Sequence, residues 1–319
     1  MLVETRRLHS VTRPVFEGRL TAVTQQRARF GLSAALTTPF TSDGSIDLAR
    51  AFVQARWCLM GGCSSVTLFG TTGEGSSIGL DDRAAVLAAF AEGGITGDQI
   101  VGAVAAASIA DAAAQMRQML AIGSKAVLLP PPFYFKGVGD DGLFAWFAQL
   151  FERLGGGARG VLLYNIPSVT AVPLTIDLIG RLRTVFPEVV VGVKDSSGDW
   201  AYTQRLLAAH RDLAILIGDE RYLAEGVRLG GEGAISGLAN ICPDRLRPLA
   251  LEGRDDPRIN ALVEAVLAHP VIPAVKALVA HRTADVSWRA VRPPLMPLGA
   301  EDAARLAARY DALFAAAAA

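Results

Sequence analysis

The sequence predicts a (β/α)8 barrel, the TIM-barrel arrangement of the α/β class, with a helical appendage at its C-terminal end. Three observations predict it. Short apolar runs alternate with segments of helical spacing from Gly31 onward. About eight such units fill roughly 220 residues, the usual extent of this barrel. Beyond Cys242 the strand-like runs stop and helical patterns continue alone. Strand–helix alternation implies parallel pairing through right-handed crossovers. A doubly wound open sheet competes, but no GxGxxG opens a helix after the first strand to support it.

The organisation read this way is an N-terminal extension over residues 1–30, a barrel over 31–242 and a helical region over 243–319. The expected strands are 32–36, 65–69, 100–105, 126–129, 160–164, 189–193, 214–217 and 233–235. Each is short and apolar, as suits a parallel strand covered on both faces. The intervening helices have readable starts. Asp47 precedes one apolar-periodic run, and Asp81 and Asp82 open another, where acidic side chains complement the helix dipole. Ser108 followed by Asp111 resembles a capping box. Pro173 and Pro243 sit where a helix can begin without losing a needed N–H. Gly155-Gly156-Gly157 breaks the chain before the fifth strand. In the appendage, 258–267, 272–281 and 301–314 read as helices, and the terminal alanine run as a fraying helix end.

Composition narrows the function classes. Of 319 residues, 51% are hydrophobic and 19% charged, which describes a globular chain with a large core. Formal net charge is zero, so no basic surplus recommends a nucleic-acid partner. Cys58, Cys63 and Cys242 show no paired spacing, as expected of buried thiols in a reducing compartment. His9, His210, His269 and His281 fall into no metal-ligand spacing, so no histidine-based metal site is expected. The first 30 residues carry arginines but no apolar core of a secretory signal, and no stretch has membrane-span length without polar breaks. The expected location is the cytoplasm.

The residues that could carry chemistry gather after strands, where barrels build their sites. Lys194 ends the run Val-Val-Val-Gly-Val. Partial desolvation there disfavours the charged ammonium, and a free amine can attack a ketone to form a Schiff base. The alternative is a solvated strand-end lysine. Gly70-Thr71-Thr72-Gly73-Glu74-Gly75 follows the second strand and reads either as an anion-holding nest or as a plain glycine-rich turn. It lacks the Lys-Ser/Thr ending of a P-loop. Tyr164 ends the fifth strand, next to Lys194 in a barrel, and is a proton relay or a core tyrosine. Tyr134 lies in a Pro-Pro-Pro-Phe-Tyr-Phe run, in the core, at an interface or in a relay. Glu220 follows the seventh strand, to bind a polar tail or to start a helix, and Ser236 follows the eighth.

Gly70-Thr71-Thr72-Gly73-Glu74, Tyr164-Asn165-Ile166-Pro167-Ser168, Gly192-Val193-Lys194-Asp195 and the segment 229–236 stand in the order and spacing of one family. The chain resembles the dihydrodipicolinate synthase/N-acetylneuraminate lyase family of class I aldolases from Gly31 to the C-terminus, including Ile272-Pro273-Ala274-Val275-Lys276. The resemblance implies a barrel with a C-terminal helical domain, assembled as a homotetramer or dimer. It implies a Schiff base between Lys194 and pyruvate or another 2-oxo acid, with no metal or organic cofactor. Thr71 and Thr72 fall where the family orients the carboxylate. Tyr164 falls on its proton-relay tyrosine, and Tyr134 on the tyrosine that completes the relay across a subunit interface. Gly218 and Ile235 fall at pocket-lining positions.

Two departures bear on the substrate. Val169 stands where the synthase branch has an arginine gripping the second substrate's carboxylate, and an apolar side chain cannot replace a bidentate guanidinium. Glu220 and Arg221 stand where the sialic acid lyase branch keeps two acidic side chains. The segment 194–199 is more similar to branches acting on 2-oxo-3-deoxy sugar acids or 4-hydroxy-2-oxo acids, where Ser196 would bond a substrate hydroxyl. The resemblance therefore implies an aldolase or lyase joining or parting pyruvate and an aldehyde. Alternatives are a dihydrodipicolinate synthase condensing pyruvate with aspartate semialdehyde, a 2-oxo-3-deoxy acid dehydratase, or a non-catalytic 2-oxo-acid sensor. A phosphate-binding barrel isomerase has little basic residue support after the last two strands.

Overall fold

The computed structural model describes residues 29–315. Almost all of the N-terminal extension and the last four alanines lie outside the described residues. Eight parallel strands close into a barrel in chain order. They are β1 (Gly31–Ala35), β2 (Ser65–Leu68), β3 (Ile100–Ala103), β4 (Ala126–Leu129), β5 (Val161–Asn165), β6 (Val190–Asp195), β7 (Ala214–Ile217) and β8 (Gly233–Ser236). Closure comes from β1 pairing with β8, Gly31 opposite Gly233 and Ala34 opposite Ser236. The expected barrel is therefore the observed one.

The first helices begin where their caps predict. Asp47 accepts from Arg50 N at 2.8 Å and starts α1 (Leu48–Met60). Asp81 and Asp82 lie in the first turn of α2 (Leu80–Glu92). Ser108 accepts from Asp111 N and donates to the Asp111 carboxylate, starting α3 (Ile109–Ala121). Next come α4 (Asp140–Leu154), a single turn α5 (Pro167–Thr170) and α6 (Ile176–Val185). Pro173 does not start α6. Thr175 does, because its hydroxyl accepts from Leu178 N at 3.0 Å, a bond that proline cannot offer. After β6 and β7 stand α7 (Trp200–Ala209) and α8 (Leu223–Arg228). The chain ends with α9 (Pro243–Glu252), α10 (Pro257–Leu267), α11 (Val271–Thr283) and α12 (Ala300–Phe314). Pro243 is the first residue of α9, which lies against β1 and β8. The helical region thus opens with a helix that also covers the barrel seam.

Two apolar layers hold the barrel. One fills its interior and includes Val101, Leu128, Leu162, Tyr164, Leu216 and Ile235. The larger one lies between strands and helices. Strand alternation assigns each side chain to one layer. β6 breaks that alternation. The β5–β6 register shifts after Val161, which pairs with Val190 while Leu162 pairs with Gly192, so Val191 is skipped. Val191 packs on the interior layer and Val193 on the outer one. Strict alternation from Val191 would put Val193 inside and Lys194 outside. The bulge re-aims the strand, and Lys194 faces the interior. β6 also runs two residues beyond the expected strand, so Lys194 and Asp195 belong to it.

Candidate active site

Lys194 and Tyr164 are direct partners in the β5–β6 ladder. Lys194 Nζ donates to the Tyr164 hydroxyl at 3.2 Å and lies 4.4 Å from the centre of its ring. Lys194 is only 6% exposed, and Tyr164 is buried beside it. Both open into a cavity of about 240 Å³ at the C-terminal ends of the strands. An amine and a phenol so placed can exchange a proton at hydrogen-bond range.

The other expected binding residues, Thr71, Thr72, Ser196, Gly218, Glu220 and Ile235, line the same cavity. Tyr134 does not. It is 76% exposed, lines neither this cavity nor its neighbour, and packs edge-on against Phe135.

The loop carrying Thr71 and Thr72 is sharply folded. Phe69 and Glu74 both hold positive φ, an unusual conformation for residues with a Cβ. Gly75 is required sterically, since a Cβ there would stand 1.7 Å from the Phe69 carbonyl oxygen. The N–H groups of Gly73 and Gly75 bond to Gly70 O, and that of Glu74 to Thr71 O. These three donors are used within the loop, so the anion-nest reading narrows to the two threonines that line the cavity.

A buried ion pair fixes this loop from behind. Glu74 and Lys276 side chains are fully buried and directly paired. The second Glu74 oxygen accepts from Arg292 N at 2.9 Å. Lys276 also donates to the Ala290 carbonyl and lies over the Phe40 ring. Burial pulls its ammonium pKa down, and the Glu74 carboxylate opposes that shift. Lys276 sits on α11, whose Val271 and Val275 line the Lys194 cavity. The threonine loop and this cavity wall are thereby tied to one pair.

Arg83 is a further buried charge near this loop. It is 0% exposed, donates to Ala103 O at 2.8 Å and Gly75 O at 3.2 Å, and stacks over Phe69. Burial lowers its pKa to about 10. It was missed in the sequence, although Arg83, Val86, Leu87 and Phe90 follow helical spacing and form the buried face of α2.

Around Lys194 the supports are polar and saturated. Asp195 accepts from Asn165 Nδ2 at 2.9 Å, from Thr203 Oγ1 at 2.5 Å and from Ser197. Burial raises its pKa, while these bonds pull it down. Asp195 O accepts from Gly218 N at 2.7 Å. Gly218 is needed there, because a Cβ would stand 2.1 Å from Ser196 Oγ and 2.4 Å from Asp195 O. Glu220 is buried at the cavity wall and accepts from Ser236 Oγ at 2.5 Å. Burial raises its pKa, and the bond from Ser236 opposes that rise. Asp219, beside it, caps a short turn and pairs with Arg221 instead.

The appendage supplies a wall that the strand-end reasoning missed. Val263, Val266 and Leu267 of α10, with Val271 and Val275 of α11, line the cavity opposite the strand ends. No single described helix is long and apolar enough to cross a membrane. Among the described residues no group of three His, Cys, Asp or Glu side chains is placed to hold a metal.

Comparison with known proteins agrees with this fold. An uncharacterised DapA-like lyase from Chloroflexus aurantiacus is 35% identical over 295 residues, covering 89% of this chain and 97% of its own. The crystal structure of dihydrodipicolinate synthase from Agrobacterium tumefaciens C58 is 55% identical, covers 90% of this chain and all of its own, and superposes with a TM-score of 0.88. A prophage protein of the dihydrodipicolinic acid synthase family from E. coli K12, solved in complex with pyruvate, shares the fold at 21% identity. It covers 89% of this chain and 98% of its own, with a TM-score of 0.78. Residues 28–313 match the Dihydrodipicolinate synthetase family, to which this chain belongs.

Proposed function

We propose that the protein is a Schiff-base-dependent aldolase or lyase joining or parting pyruvate and an aldehyde. The observation that carries this reading is the buried contact of Lys194 Nζ with the Tyr164 hydroxyl, at 3.2 Å, beside Thr71 and Thr72. Lys194 attacks C2 of the 2-oxo acid, and loss of water from the carbinolamine leaves an iminium. In cleavage, Tyr164 accepts the C4 hydroxyl proton, the C3–C4 electron pair passes into the enamine, and the aldehyde departs. Protonation at C3 and hydrolysis return pyruvate and free Lys194. Thr71 and Thr72 orient the carboxylate. No metal or organic cofactor enters these steps. In an oligomer, Tyr134 from a second copy would extend the relay, a role that suits its exposure.

Two other readings have an observation each. The name of the A. tumefaciens relative favours condensation of pyruvate with aspartate semialdehyde. Glu220, buried at the cavity wall with a pKa raised by burial, offers a carboxyl for dehydration. Exchange of the pyruvate methyl protons in D2O tests the shared enamine, with Lys194→Ala as control. Exchange by the native chain alone supports the mechanism, and equal rates in both would overturn it. Incubation with a 4-hydroxy-2-oxo acid then separates the readings: pyruvate and aldehyde mean aldolase, and loss of water means dehydratase.

A further inference from the structure

We infer that the aldehyde partner is uncharged and apolar beyond its carbonyl, an aromatic or branched aliphatic aldehyde. This inference rests on the aldolase reading and names its substrate class. Among the described residues, no cationic side chain except Lys194 itself lines the Lys194 cavity. A second cavity of about 280 Å³ adjoins it, sharing Thr71, Tyr164, Ile166 and Val169, and among the described residues no cation lines it either. The nearby cations are already engaged. Arg83 bonds carbonyls behind the threonine loop, Lys276 pairs with Glu74, Arg292 pairs with Asp82, Arg221 pairs with Asp219, and Lys136 donates to the carbonyls of Phe133 and Thr170. A carboxylate or phosphate on the aldehyde would therefore be desolvated without a partner, which is costly.

A polyhydroxylated tail fits little better. The hydroxyls of Thr71 and Thr72 are taken by the 2-oxo acid in the proposed mechanism and one Glu220 oxygen accepts from Ser236, which leaves Ser168 and Ser196 as the other lining side-chain hydroxyls besides that of Tyr164. Opposite them, α10 and α11 present five valine and leucine side chains. The adjoining cavity continues the apolar lining with Phe69, Val104, Pro130, Phe133 and Leu295. Val169, 60% exposed, lines both cavities with Ile166. A substituent on the aldehyde carbon would pass beside them from the reacting centre into an apolar space. Each methylene so buried is worth about tenfold or more in kcat/KM.

The test has two stages on the full-length protein. Methyl-proton exchange of pyruvate comes first. Condensation of pyruvate with benzaldehyde, 3-methylbutanal, D-glyceraldehyde and succinic semialdehyde is then followed by chromatography of the 4-hydroxy-2-oxo acid. Benzaldehyde or 3-methylbutanal should exceed both polar aldehydes in kcat/KM by about 100-fold. Val169→Arg, placing a guanidinium at the shared mouth, should move the ratio of succinic semialdehyde to benzaldehyde at least tenfold toward the anion. Exchange with preference for a polar aldehyde, or with no product from any aldehyde, would overturn this inference alone. Absence of exchange would overturn the aldolase reading and this inference with it.

Discussion

Removing both partners of the Glu74–Lys276 pair should destabilise the protein far less than the two single removals summed. Both side chains are fully buried, so neither charge has water to replace its partner. Lys276→Met leaves the Glu74 carboxylate with the Arg292 N–H as its remaining bond, and Glu74→Gln leaves the Lys276 ammonium facing a neutral amide. An uncompensated buried charge of this kind costs about 3–5 kcal/mol. The double variant carries no buried charge at the pair, and the amide oxygen introduced by Glu74→Gln can still accept from Arg292 N. Its loss should therefore fall short of the summed single losses by about 2 kcal/mol or more. Urea denaturation of the four proteins at pH 7 gives the cycle. The Lys276→Met variant should also trap pyruvate less efficiently, since Glu74 anchors the loop bearing Thr71 and Thr72. Additive losses would refute the coupling, and single losses below about 1 kcal/mol would refute the burial reasoning itself.

Tyr164→Phe removes the hydroxyl that meets Lys194 but keeps the ring, so the fold should persist while turnover falls about 10²–10⁴-fold, measured as cleavage of a 4-hydroxy-2-oxo acid. Glu220→Gln should change the pH dependence of stability. Burial raises the Glu220 pKa above the ordinary 4.5, so the native chain's advantage from this group is full below that value and is lost as pH rises through the folded pKa. Urea midpoints from pH 4.5 upward should accordingly decline less in Glu220→Gln than in the native chain. Gly218→Ala should cost about 1–3 kcal/mol in urea and lower activity, because the added methyl displaces Ser196 or the Asp195 carbonyl.

Much of the barrel was legible because its signals are local. Alternating apolar runs, Asp47 and Ser108 caps and the strand-end position of Lys194 are written in neighbouring residues. The meeting of Tyr164 with Lys194 followed from adjacency of consecutive strands. The bulge at Val191 was not legible, since β-branched residues read alike on either face, and only the pairing register reveals it. Nor was the Glu74–Lys276 pair, whose partners stand 202 residues apart. Pro173 misled because a missing N–H permits a helix start without requiring one, whereas the Thr175 hydroxyl supplies a bond. Arg83 carried a helical-spacing signal that its charge obscured. The α10–α11 wall of the cavity depends on how the appendage folds back, which no local pattern encodes.

Intact mass after incubation with pyruvate and borohydride tests the central claim most directly, with Lys194→Ala beside the native chain. We expect one reduced pyruvyl adduct on the native protein, mapped by peptide digestion to Lys194, and none on the variant. A folded native protein without an adduct, or an adduct that survives Lys194→Ala, would contradict a Schiff base at Lys194.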